Sequence, residues 1–184
     1  GHVYQYFESR KNWASAREAC TDTIYGGSIR GYLATITNWT ENAFITSQIA
    51  PDGWLGAAQD KNQVWKWVTG PETGDESKAN FWEGGAPYSG GHAIGSLYNN
   101  WDDTSVISQP TAAEGENKMR IGQSGLWFDV TADTAQHGYL CEFGGAGPIN
   151  IPSESLFGSI NVVPAGCLKT TGSICNTVGT TACS

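Results

Sequence analysis

Residues 71–108 place the tightest constraint on this chain. They carry almost no hydrophobic periodicity, yet they hold Phe81, Trp82, Tyr88, Tyr98 and Trp101. Neither helical spacing nor strand alternation runs through them, and Gly-rich pieces such as E-G-G-A-P-Y-S-G-G break up what pattern there is. Irregular stretches this long are uncommon in compact domains and usually carry function. Such a stretch has to be pinned to a core by its own rings. With 24 Gly, and eight Trp among 21 aromatics in 184 residues, a loop-rich β or α+β fold is favoured over a helical bundle.

The flanking segments are more legible. Residues 3–8 (V-Y-Q-Y-F-E) alternate as a strand. Residues 10–20 place Trp13, Ala16 and Cys20 on one helical face, with Ser9 as the expected cap. Tyr25 to Arg30 reads as loop, Gly31 as the hinge out of it, and Tyr32 to Ile36 as a short strand. Asn38 with Glu41 has the form of a capping box opening a helix from Trp39 to about Ile49, with Ala43, Phe44 and Ile49 inward. Asn38-Trp39-Thr40 is also a glycosylation sequon, in competition with that cap. Trp54–Ala58 and Val64–Val68 predict a hairpin, Lys118–Ile121 and Trp127–Asp129 another, and Gly138–Phe143 a last strand.

Between the irregular stretch and that last strand, Gln109 to Asp129 opens on a Pro turn and gathers Gln109, Glu114, Glu116 and Asn117 opposite Asp129. Oxygen side chains on a Pro-bent loop suit a hard cation such as calcium. A polar hairpin loop that binds nothing carries the same residue types.

Charge and cysteine narrow the setting. The net charge is −8 with no basic run, which disfavours nucleic acid and anionic membranes as partners. No apolar run is long enough to span a bilayer. Gly1-His2-Val3 reads as a processed start rather than a signal peptide. Cys20, Cys141, Cys167, Cys175 and Cys183 form no C-x-x-C pair and His2, His92 and His137 are scattered, so disulfides in an oxidising compartment fit better than a zinc site. Five is odd, which leaves one thiol free, paired between chains, or without its partner. Residues 146–184 are rich in Ser, Thr and Gly, with three of the cysteines at eight-residue intervals, and read as a β-rich, disulfide-tied appendage to a domain of residues 1–145 or as a linker towards another module.

The order of these segments, with G-Y-L-A-T-I-T, E-N-A-F-I, W-L-G-A, W-K-W, W-V-T-G-P-E, W-F-D and Y-L-C-E-F-G-G, resembles the C-type lectin-like domain in its secreted bacterial-type form, over about residues 3–145. The resemblance implies an α+β fold closed by its two ends, two helices flanking small antiparallel β-sheets, and a long irregular loop region. It implies a Cys20–Cys141 bridge, while Lys118 stands where the family's second disulfide would begin.

It also implies a sugar-binding calcium site. Carried across residue by residue, Gln109, Glu116 and Asp129 are retained as metal ligands; Thr111 and Phe128 replace two others. Three donors are few beside the about six to eight oxygens calcium takes, so the site is expected to be degraded, with Asp102, Asp103 or Glu114 as candidate substitutes. Thr111 and Asn117 complete the expected ligand-binding edge. Trp54, Trp65, Trp67 and Trp127 fall at core positions and Trp101 is expected to anchor the loop, while Trp82, Tyr88 and Tyr98 are expected to contact ligand. The function implied is an extracellular binding or adhesion module, secreted or at the cell surface, recognising glycan. The alternative is a calcium-independent protein-interaction or surface-assembly subunit, whose C-terminal cysteines offer a homo-oligomer or inter-chain bridge. Ice binding is a third role known in the family. No nucleophile elbow or phosphate loop is present, and Glu114 and Glu116 are too weak a pair to argue for an enzyme.

Overall fold

The computed structural model describes residues 1–104, 106–133 and 137–145, and the backbone of 161–163. Strand β1 (His2–Lys11) runs antiparallel to β10 (His137–Gly144), pairing His2 with Gly144 through Phe7 with Tyr139. The two ends of the domain therefore close on each other. Strand β3 (Ile29–Leu33) lies antiparallel to β10, and β4 (Gly53–Gln59) joins it in parallel at Gly53–Gly138 and Trp54–Tyr139. From β4 the sheet continues through β5 (Val64–Trp67), β6 (Asn80–Glu83) and β7 (His92–Ala93). On its other side β4 pairs with β8 (Lys118–Ile121), which pairs with β9 (Trp127–Val130). The α+β class is as expected, but the strands join into one hydrogen-bonded network with a parallel pairing rather than separate antiparallel sheets. Strand β11 (Asn161–Val163) adds antiparallel to β1; the calls on Cys167, Cys175 and Cys183 lie outside the described residues.

Helix α1 (Trp13–Asp22) buries Trp13, Ala16 and Cys20 as the spacing predicts. Its cap is Asn12, whose side chain accepts from the Ser15 amide, and not Ser9, because β1 extends to Lys11. Cys20 meets Cys141 of β10 with a Cα separation of 5.4 Å, across 121 residues of sequence. Tyr25–Arg30 is not an open loop. β2 (Ile24–Tyr25) pairs with β3 across Gly26 and Gly27, both at positive φ, which glycine adopts without a steric penalty. Gly31 is no hinge either. It lies inside β3, where an added Cβ would come within 2.7 Å of both the Cys20 carbonyl and the Phe143 ring.

Helix α2 (Trp39–Gln48) starts at Asn38, whose side chain accepts from the Glu41 amide at 2.9 Å. Its buried residues are Asn42, Phe44 and Ile45, so the inward face is rotated from the expected one, and Ile49 is only partly buried. A short α3 (Glu76–Ala79) follows. The core has two parts. One gathers Trp13, Cys20, Leu33, Trp54, Cys141 and Phe143; the other collects Trp65, Trp67, Trp82, Trp101 and Trp127 with Phe44, Phe81 and Leu140, while Trp39 is exposed.

Candidate functional site

The second core cluster is where the irregular stretch is fastened. Trp101 forms a bridge to Trp127 of β9 and its ring meets those of Trp65, Phe81, Trp82 and Trp127. The Trp127 amide donates to Asn100, the Asp102 amide to Trp127, and the Gln109 amide to Asp102. Asn100 and Asp102 are thus laced to β9, and Gln109 to Asp102, before the polar loop begins. Asn42 of α2 fixes the other side: its side-chain oxygen accepts from the Trp127 indole at 3.1 Å, and its amide nitrogen donates to Gly125 at 3.1 Å. Strand alternation then carries position from Trp127 to Asp129, which is 3 % exposed on the same face.

Around Asp129 the predicted residues do converge. The Thr111 amide donates to Oδ1 at 2.9 Å and the Ala112 amide to Oδ2 at 3.1 Å. Gln109 Oε1 accepts from the Asp129 amide at 3.3 Å, and the Gln109–Pro110 peptide is cis. The Thr111 hydroxyl lies 2.6 Å from Glu116 Oε2 and 3.2 Å from Asp129 Oδ2. One hydroxyl proton serves only one of those carboxylates at a time. Burial raises the Asp129 pKa above its ordinary value, opposed by the Thr111 and Ala112 amides and reinforced by Glu116. The edge therefore favours one further positive charge, a proton or a cation. Its donor set for calcium is nonetheless thin: Asp129 is already bonded through both oxygens and Phe128 offers none.

Among the expected substitutes, Asp102 is buried and its Oδ1 accepts from the Thr104 amide and hydroxyl, while Asp103 and Glu114 are exposed. Asn117 is exposed and accepts from Lys118.

The three aromatic contacts separate. Trp82 is 5 % exposed and its indole donates to Gly85, so it belongs to the core. Tyr98 packs edge-on to Trp127, and its buried hydroxyl, pushed up to about 12 by desolvation, finds no partner among the described residues. Tyr88 alone of the three is open, at 77 % exposure. The turn before it lies against the edge, since a Cβ on Gly85 would come within 3.2 Å of Ala112 and 3.6 Å of the Pro110 carbonyl. Asn42 and Asn100 were not anticipated from sequence, because both act through contacts with the distant Gly125 and Trp127.

The family model for the lectin C-type domain matches residues 9–143. The chain belongs to the C-type lectin domain family. Halomucin of Haloquadratum walsbyi is 31% identical over 179 residues, covering 96% of this chain and 2% of the relative. Rat asialoglycoprotein receptor 1 is 31% identical over 97 residues, 52% of this chain and 31% of the receptor. The chain thus spans a minor part of these relatives' length. The cow CD23 carbohydrate-recognition domain, solved in the presence of GlcNAc2Man3 oligosaccharide, superposes with a TM-score of 0.52 over 77% of this chain and 86% of its own, at 23% identity. That likeness shows the fold. The domain is a non-enzymatic binding module.

Proposed function

We propose that this domain is an extracellular module that binds glycan at the Gln109–Asp129 edge, with Tyr88 as a stacking ring beside it. The observation that carries the reading is the convergence of Gln109, Thr111 and Glu116 of one loop on Asp129 of β9, with the turn that precedes the exposed Tyr88 packed against that loop at Gly85. Sugar hydroxyls need closely spaced donors and acceptors, and a sugar's apolar face packs on an aromatic ring. Asialoglycoprotein receptor 1 and the CD23 carbohydrate-recognition domain, solved in the presence of an oligosaccharide, point the same way. Calcium, where it binds, is held by Gln109, Glu116 and Asp129 and completed by water and ligand hydroxyls. So few protein donors place its affinity at the weak, extracellular end, about 0.1–1 mM.

A second reading has its own support. The Thr111 and Ala112 amides and the Thr111 hydroxyl already bond the Asp129 and Glu116 carboxylates, which suits calcium-independent binding of a cell-surface protein or assembly in a surface layer. Glycan-array binding with and without chelator separates the two, alongside thermal melting against calcium. Glycan binding that calcium strengthens supports the first reading. No bound glycan in either buffer overturns it, and glycan binding indifferent to chelator removes the calcium.

A further inference from the structure

Asn38-Trp39-Thr40 is the chain's only Asn-x-Ser/Thr, and all three residues are exposed where α2 begins. We propose that Asn38 is a modification site, accepting an N-linked oligosaccharide on Nδ2 while its Oδ1 goes on capping α2. The expected competition between cap and modification does not arise, because the two use different atoms. Oδ1 accepts from the Glu41 amide at 2.9 Å. Nδ2 makes a long contact, 3.4 Å, to Glu41 Oε2. That carboxylate oxygen keeps the Thr37 amide at 2.8 Å whatever becomes of Nδ2.

The linkage spares the cap chemically as well. Nδ2 attacks the anomeric carbon of a lipid-phosphate-activated oligosaccharide. The bond from that carbon to the phosphate oxygen breaks, and the phosphate leaves with its electron pair. One amide proton passes to a base of the transferase, and no oxidant or reductant enters. The product keeps the carbonyl oxygen that accepts from Glu41, together with one N–H.

The start of α2 offers room for the added group. Asn38 is extended, at φ −155° and ψ 163°, and the residues that α2 buries, Asn42, Phe44 and Ile45, lie beyond its first turn. Trp39, in the middle of the sequon, is 70% exposed and alone among the eight tryptophans lies outside the core. A bulky, solubilising saccharide on the neighbouring residue covers apolar surface that the fold leaves in water. This modification goes beyond the glycan-binding reading and does not depend on it, since the chain carries its oligosaccharide whether or not it binds another.

The test secretes the full chain from a eukaryotic cell line, whose export pathway supplies the transferase and the lipid-linked donor, and reads intact mass and glycopeptides. The expected result is one N-glycan per chain at Asn38, released by peptide N-glycosidase with heavy-oxygen label left at that position. Asn38→Asp keeps a capping oxygen and loses Nδ2, while Thr40→Ala keeps the cap and loses the sequon hydroxyl. Both variants are expected to be secreted with native circular dichroism and no glycan, and Thr40→Ser to retain it. The glycosylated chain should melt no lower than the enzymatically deglycosylated one. A folded, secreted chain without glycan at Asn38, or a glycan persisting in either variant, overturns the proposal. A glycosylated chain that melts below its deglycosylated form overturns the survival of the cap.

Discussion

Asn42 is the residue on which the geometry of the candidate edge most depends, and no charge or motif advertises it. Its amide satisfies the Trp127 indole and shares the Gly125 carbonyl with Asn100, so Asn42→Ala leaves the buried indole without its partner while Gly125 keeps the Asn100 side chain. The expected loss is about 1–3 kcal/mol, read as a shift of the urea midpoint with unchanged slope. Phe128 predicts the opposite kind of change. It stands where the resemblance expects a calcium ligand, and the Arg120 guanidinium lies 4.3 Å above its ring. Phe128→Asn gives up that contact, costing about 0.5–1 kcal/mol, and supplies an oxygen. Calorimetry should show tighter calcium binding in the variant; an unchanged affinity means the edge does not present that position to the ion. The departures at Thr111 and Phe128 were legible in sequence because they are substitutions within a motif. Asn42 was not, because its role depends on a strand distant in the chain.

At the scale of elements, alternation and capping located nearly every long strand and both main helices, since those signals are local. They failed where tertiary contact decides. Residues 80–83 read as irregular, yet they form β6 because β5 offers a paired edge and Trp82 a place opposite Trp65. The same packing withdrew Trp82 and Tyr98 from the expected contacts and left Tyr88 on the short turn Pro87–Ser89. Tyr88→Ala is therefore expected to weaken glycan binding by about three- to tenfold, the worth of a stacking contact, with the melting temperature unchanged. At the start of β10, His137 lies 3.6 Å from Asp52 and near Arg120. Burial, with Arg120, lowers its pKa against the pull of Asp52, so the folded state prefers it neutral. The unfolded state then binds the proton more readily, and stability is lost as pH falls below the ordinary value of 6.5. The melting-temperature difference between native protein and His137→Gln should change across that range and be flat above it.

Residues 1–145 form a closed loop, and its closure explains how so much irregular chain between β1 and β10 is held in place. β1 and β10 bring the ends together, and the Cys20–Cys141 bridge locks α1 to β10 across 121 residues. Everything between, including the candidate edge, hangs from that seam. Both half-cystines are fully buried among Leu33, Trp54 and Phe143. Cross-linking ends so far apart in sequence removes much of the unfolded chain's freedom, about 5 kcal/mol in the chain-entropy picture. Replacing both cysteines with serine removes that restraint and puts two hydroxyls in an apolar site. The double variant is expected to lose at least this much in denaturant titration, enough to unfold a domain of ordinary stability at physiological temperature. A change to alanine instead separates the causes, since it keeps the loss of cross-link and omits the buried hydroxyls. If the alanine pair unfolds at the native midpoint, the backbone pairing of β1 with β10 closes the molecule alone and the bridge is dispensable.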